Sequence, residues 1–320
     1  MNINAKIYLA GHNGMVGSAL QRKLIEAGYL NIITRSSSEL DLLNQKETFD
    51  FLQYEKPEYV LIAAAKVGGI YANDIYPADF IYQNLMIQAN LIHGSYLAKI
   101  NRLLFLGSSC IYPKESKQPI KEKYLLSGYL EITNEPYAIA KISGIKLCES
   151  YNRQYDTDYR SVMPTNLYGP NDNFHSKNSH VIPALIQRFH KAKVKNEPLV
   201  SVWGSGKQMR DFLHVDDAAA ALILIMKLSK KNIQKEISPN LSHINIGSGQ
   251  DISIRDVAIM VKKIVGFEGE IVFNNQMPDG TLKKRLDISK IKRLGWKPSI
   301  SLEEGLRETY LWFLSNNQLG

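Results

Sequence analysis

Gly11-His12-Asn13-Gly14-Met15-Val16-Gly17 follows a short apolar run and opens a stretch of helical periodicity, and this order constrains the fold more than any other feature of the chain. A strand that passes into a helix through three such glycines makes a tight turn whose backbone a ligand can approach closely. The pyrophosphate of a dinucleotide suits that turn, because its charge meets the free N–H groups and positive dipole end of the helix.

The rest of the first half keeps the same rhythm. Strand-like apolar runs over residues 6–10, 32–34, 59–65, 103–106 and 160–164 alternate with helical patterns over 16–27, 47–53, about 77–99 and 137–155. The alternation predicts an α/β fold with a doubly wound parallel (Rossmann) sheet. Beyond Pro164 the turn-rich Asn166-Leu167-Tyr168-Gly169-Pro170-Asn171-Asp172 ends the rhythm, and a second, smaller α/β unit is expected. His214-Val215-Asp216-Asp217 and the alanine-rich stretch to Met226 read as a helix returning to the first unit, and residues 229–242 as a polar surface connection. The expected division is residues 1–166 with about 212–228 for the dinucleotide, and 167–211 with about 229–320 for the substrate.

A chain of 320 residues, 44% apolar, supports a large core. No stretch approaches the ~20 apolar residues of a membrane span, and the opening 13 residues lack a signal-peptide pattern, so a cytoplasmic protein without membrane partners is expected. Cys110 and Cys148 form neither a disulfide framework nor a metal spacing. The net charge of +8 favours anionic partners, but the basic residues, such as Lys191, Lys193 and Lys195, lie in short scattered groups without a nucleic-acid-binding motif. A phosphorylated small molecule is the better expectation.

Three polar residues supply chemistry. Ser108 follows the apolar run Leu103-Leu104-Phe105-Leu106-Gly107, at the carboxyl end of an expected strand, where open α/β sheets bind ligands. Tyr137 and Lys141, four positions apart, share one face of a helix. An ordinary tyrosine titrates near ~10, and the spacing predicts that the ammonium favours the phenolate. Cys110, two positions after Ser108, faces the same side if that segment is extended. Arg35 stands roughly 20 residues past the glycines, where an NAD enzyme carries a carboxylate for the ribose, and its guanidinium predicts NADP(H). His180 lies at the start of an expected helix in the second unit.

The chain closely resembles the extended short-chain dehydrogenase/reductase family, and within it the enzymes that epimerise and reduce GDP-4-keto-6-deoxymannose. The likeness is carried by the glycine turn, Ala63-Ala64-Ala65-Lys66-Val67-Gly68-Gly69-Ile70, Tyr76-Pro77-Ala78-Asp79-Phe80-Ile81-Tyr82-Gln83-Asn84, Gly107-Ser108-Ser109-Cys110-Ile111-Tyr112-Pro113, Asn134-Glu135-Pro136-Tyr137-Ala138-Ile139-Ala140-Lys141 and Asn178-Ser179-His180-Val181-Ile182-Pro183. It covers essentially the whole chain. It implies a reductase site of Ser108, Tyr137 and Lys141, with Cys110 and His180 exchanging protons during epimerisation. For NADP(H) it implies Gly11, Asn13, Gly14, Met15, Val16, Gly17, Arg35, Leu42, Leu106, Gly107, Ser108, Lys141, Pro164, Asn166, Leu167 and His180. For a GDP-sugar it implies Arg188, Trp203, Arg210, Asp279 and Lys284, and for assembly a homodimer built on helices of the first unit. Members commonly carry Arg at the position of Asn13, a departure that bears on the strength of NADP selection. No metal is implied.

Overall fold

The computed structural model describes residues 1–175, 179–274 and 281–316, the side chains of Ile70 and Tyr71 apart. Strands β1 (Ile7–Ala10), β2 (Ile32–Ile33), β3 (Tyr59–Ile62), β4 (Arg102–Leu106) and β5 (Asp158–Pro164) alternate with helices α1 (Met15–Glu26), α2 (Gln45–Glu55), α3 (Ile70–Ile75), α4 (Pro77–Leu97) and α5 (Glu135–Tyr155). The chain continues through β6 (Asn166–Tyr168), α6 (Val181–Val194), β7 (Leu199–Trp203), β8 (Met209–Arg210), β9 (Phe212–His214), α7 (Val215–Lys227) and α8 (Lys230–Ile233). It closes with β10 (His243–Ile246), β11 (Ile252–Ser253), α9 (Ile254–Val265), β12 (Glu270–Asn274), β13 (Lys283–Lys284), α10 (Ser289–Arg293) and α11 (Leu302–Asn316).

Six strands form one parallel sheet in the order β10-β5-β4-β3-β1-β2. β1, β3 and β10 are buried along their whole length, as expected where helices cover both faces. Helices α2, α4 and α5 pack side by side, and α1 packs against α7. The order reverses between β1 and β3, which leaves a crevice at the strands' carboxyl ends.

A second core gathers Phe189 and Ile186 of α6, Val257 and Val261 of α9, Leu306 and Phe313 of α11, and Val200 and Val202 of β7. Its strands are short: β7 pairs with β12, β8 lies between β11 and β13, and β6 pairs with β9.

The structure departs from the expected division at one strand. Residues 243–246, assigned above to the substrate unit, form the edge of the large sheet, and Leu286, Ile288, Ile291 and Trp296 join its core. β5 is buried from Tyr159 to Pro164 and takes a further parallel neighbour on its outer side, and a run of four residues is too short to announce that strand. Residues 229–242 also include the short helix α8, pinned where Lys230 pairs with Asp156 at 2.6 Å.

Candidate active site

The glycine turn fits a dinucleotide phosphate. Gly11 ends β1 with φ +85°, and a Cβ there would lie 2.5 Å from the Ala64 nitrogen just past β3. A Cβ on Gly17 would strike the Gly11 carbonyl, so α1 can start only if that position is bare. Gly14 differs: its nearest neighbour is 3.5 Å away, leaving the helix start open to approach. No side chain caps α1. Its first N–H groups and dipole end therefore remain available to an anion. Asn13 is exposed beside them, while Met15, Val16 and Leu42 are half-buried against the large core. Gly107 closes the same end of the sheet, where its missing side chain admits Met163.

Arg35 is not a free cation. Its guanidinium sits 3.1 Å from Glu55 and 5.3 Å over the Phe51 ring, and Glu55 also takes Lys6 at 2.8 Å. The carboxylate that a ribose would have met at the strand end is instead supplied from α2, as a partner of the arginine. Nothing in the spacing of Arg35 signals Glu55, twenty positions away on the next helix.

Ser108, Cys110, Tyr137 and Lys141 converge. Ser108 is extended, and residues 109–111 turn as a 3-10 helix that it caps, with the Cys110 N–H donating to Ser108 Oγ at 3.4 Å. This corrects the expected extended segment: Cys110 reaches the pocket because the chain turns back over Ser108. Ser108 draws down both the Cys110 thiol and the Tyr137 phenol against the effect of burial, which places its hydroxyl beside both groups. The Lys141 Nζ donates to the Leu106 carbonyl at 2.8 Å and lies 5.7 Å from the centre of the Tyr137 ring.

Burial dominates the electrostatics here. Desolvation pushes the Tyr137 phenol up, reinforced by Cys110 and opposed by the Ser108 hydroxyl. The expected phenolate is therefore corrected to a neutral phenol, because an ammonium that is itself buried, and drawn down to about 8 by desolvation, cannot outweigh that cost. Burial also pushes the Cys110 thiol up, against the pull of Lys284, Ser108 and Lys141. Cys148 lies apart, fully buried, its thiol pushed up to about 12.

The opposite wall comes from the second core. Arg188 of α6 stacks 4.7 Å over the Trp203 ring at the end of β7, and Trp203 is 52% exposed. Arg210 and Lys284 are direct partners in the β8–β13 register, and Arg210 donates to the Thr281 carbonyl at 2.7 Å. Two cations side by side on neighbouring strands repel, and an anion between them offsets that cost. Lys284 is drawn down by burial. It also acts on Cys110, so β13 links the two walls. Asp279 lies outside the described residues.

His180 caps α6 without a side-chain cap bond, and its ring is 51% exposed. Its Nδ1 stands 3.8 Å from Oδ1 of Asp172, and that carboxylate holds the imidazole above its ordinary value against desolvation. Sequence inspection did not single out Asp172. Its only signal was a carboxylate in the turn before the histidine. Asn166 Nδ2 donates to the Asp211 carbonyl at 2.9 Å, Pro164 ends β5, and Leu167 is half-buried in β6, all along the seam between the walls.

Known proteins resemble this chain over nearly its whole length. A GDP-L-fucose synthase of Escherichia coli (strain K12) is 58% identical over 97% of both chains. Among solved structures, a GDP-D-glycero-L-gluco-heptose synthase from Campylobacter jejuni in the presence of NADPH superposes with a TM-score of 0.91, at 41% identity over 98% of this chain and 99% of that one. A GDP-L-fucose synthetase from Naegleria fowleri bound to NADP gives 0.88, at 27% identity over all of this chain and 97% of the other. Residues 7–247 match the NAD dependent epimerase/dehydratase family, and the chain belongs to it.

Proposed function

We infer that this chain converts GDP-4-keto-6-deoxy-D-mannose to GDP-L-fucose, inverting carbons 3 and 5 and reducing carbon 4 with NADPH. The observation that carries the inference is the gathering of Cys110, Ser108, Tyr137 and Lys141 close enough to act on one another, which sets a carbon base beside the groups that handle a carbonyl oxygen.

The ketone at carbon 4 acidifies the protons on carbons 3 and 5. Cys110, whose thiolate form the cations of Lys284 and Lys141 favour against burial, takes a proton from one face, and Ser108 and Tyr137 hydrogen-bond the enolate oxygen that forms at carbon 4. His180, from the opposite wall, returns a proton to the other face. When bound, NADPH supplies the hydride that carbon 4 receives. Tyr137 gives its phenolic proton to the oxygen, which the neutral phenol favours, and Lys141 fixes the phenol's position. The six-stranded unit would hold the dinucleotide at the open start of α1, and Arg35 would supply the cation for its 2'-phosphate. The smaller unit holds the GDP-sugar through Arg188, Trp203, Arg210, Asp279 and Lys284.

A 4,6-dehydratase of the same fold needs an Asp-Glu pair after Ser108, where this chain has Ser109-Cys110. Both cysteines are free. That supports work in the reducing cytoplasm. Among the described residues no helix is long and apolar enough to cross a membrane. Tyr82 and Leu97 of α4 and Ile139 and Tyr155 of α5 are exposed, which supports a homodimer across these helices. Light scattering tests the dimer. Incubation with GDP-4-keto-6-deoxymannose and NADPH, following nicotinamide absorbance and product configuration by NMR, tests the activity; reduced product unchanged at carbons 3 and 5 would contradict it.

A further inference from the structure

We propose that Asp172 is a positioning residue that keeps His180 protonated, so that the imidazolium stands ready to donate to the sugar carbon facing the second wall. The proposal rests on the function inferred above, which makes His180 the proton donor.

The geometry sets a problem that Asp172 solves. His180 stands at the N-cap of α6, a fourteen-residue helix whose dipole places positive charge there. A cation in that position is disfavoured, and the half of its ring packed against the protein disfavours it again. A histidine here without a carboxylate beside it would hold its proton less tightly than free histidine. The one charged group that opposes both effects is the Asp172 carboxylate, 3.8 Å from the ring nitrogen. Among the described residues no other titratable side chain acts on His180.

Asp172 is built for that task. Its side chain is only 4% exposed. Oδ1 accepts the Asn173 N–H at 2.7 Å, whereas Oδ2 is buried with no partner among the described residues. A buried carboxylate oxygen left unpaired is costly unless its charge serves a nearby cation. The backbone fixes it there, with the Asp172 N–H donating to the Gly169 carbonyl at 3.3 Å and the adjacent Phe174 ring packed against Trp312 and Phe313. The net direction, with His180 raised above its ordinary value, agrees with the carboxylate winning.

The test is an NMR titration of labelled histidine in the full-length protein, with the His180 signal assigned by its loss in His180→Gln. In the wild type, which needs no variant to fold, His180 should titrate above free histidine. In Asp172→Asn the midpoint should move to lower pH, and Asp172→Glu should restore part of the shift. Deuterium exchange at carbons 3 and 5 should track it: the fall in exchange at high pH should come earlier in Asp172→Asn, with a loss of about tenfold at neutral pH against the ~100-fold or more that a general acid supplies. A wild-type midpoint at or below free histidine, or one unmoved in Asp172→Asn, overturns the proposal alone. Full exchange in His180→Gln removes the histidine from the reaction, and the inferred function of His180 falls with it.

Discussion

The two walls of the cleft are built in opposite ways. On the sheet side Cys110 and Lys141 are almost wholly buried and, with Ser108 and Tyr137, touch or sit beside one another before any ligand arrives. On the other side Trp203 and His180 remain half-exposed, and the cations of Arg188, Arg210 and Lys284 sit on a helix and on two strands of two residues each. The first wall fixes protons and oxygen in a low-dielectric pocket, where a small displacement is expensive. The second presents charge and a ring to a large anionic ligand, whose binding offsets the repulsion between its cations. The sheet side buries its chemical groups, whereas across the cleft Trp203 and His180 stay half-exposed.

Substitutions on each wall should therefore differ in kind as well as size. The largest effect belongs to Tyr137→Phe, which keeps the Phe80 edge contact but removes the proton donor. Reduction should fall by about a thousandfold with NADPH affinity unchanged; near-normal kcat would mean the dry wall does not carry the acid.

The seam between the walls gives the next effect. Asp211 joins them, its carbonyl accepting from Thr165 and Asn166 and its carboxylate accepting from Ser248, with Oδ2 buried and unpaired among the described residues. Burial lifts this carboxyl from 3.8 to about 6. The folded chain then holds the proton more tightly than the unfolded one, so the contribution to stability is full below pH 3.8 and is lost as pH rises through 6. Asp211→Asn removes the loss. Thermal unfolding at neutral pH should show a gain of roughly 3 kcal/mol that disappears in acid; equal gains at both pH values would separate Asp211 from the pH response.

On the gripping wall, Arg188→Ala should raise KM by about tenfold with kcat nearly intact, the weight of one charge-assisted contact. A collapse of kcat would move Arg188 to the chemical side of the comparison. The smallest effect is expected at Arg35. Because Glu55 already neutralises part of its charge, Arg35→Ala should narrow the NADPH over NADH preference by less than about tenfold, read from dissociation constants.

The dry wall was the more legible from sequence, because its residues lie beside strand ends and helix starts whose periodicity is strong: Ser108 after Leu106, Tyr137 in the first turn of α5, and Gly11 after Ala10. What escaped were effects of burial and of distant partners. Tyr137 and Lys141 were placed together correctly, yet their protonation was misjudged, since spacing says nothing of desolvation. Cys110 arrived by a 3-10 turn, a local choice that Ser108 makes by capping and that an alternation rule misses. On the gripping wall the short strands β8, β11 and β13 carry too few residues to show a period, and their pairing joins positions 210, 252 and 284 across long intervals of chain. Glu55 and Asp172, which set the charge environments of Arg35 and His180, became visible only through contacts in space.

The central claim is that epimerisation needs both walls whereas reduction of the carbonyl is served by the dry one. Deuterium incorporation at carbons 3 and 5 of GDP-4-keto-6-deoxymannose, followed by NMR in heavy water without NADPH, tests it most directly. The wild type should exchange both positions, and Cys110→Ser and His180→Gln should each slow exchange by about a hundredfold while retaining measurable hydride transfer once NADPH is added. Unimpaired exchange at both carbons in either variant would contradict the account.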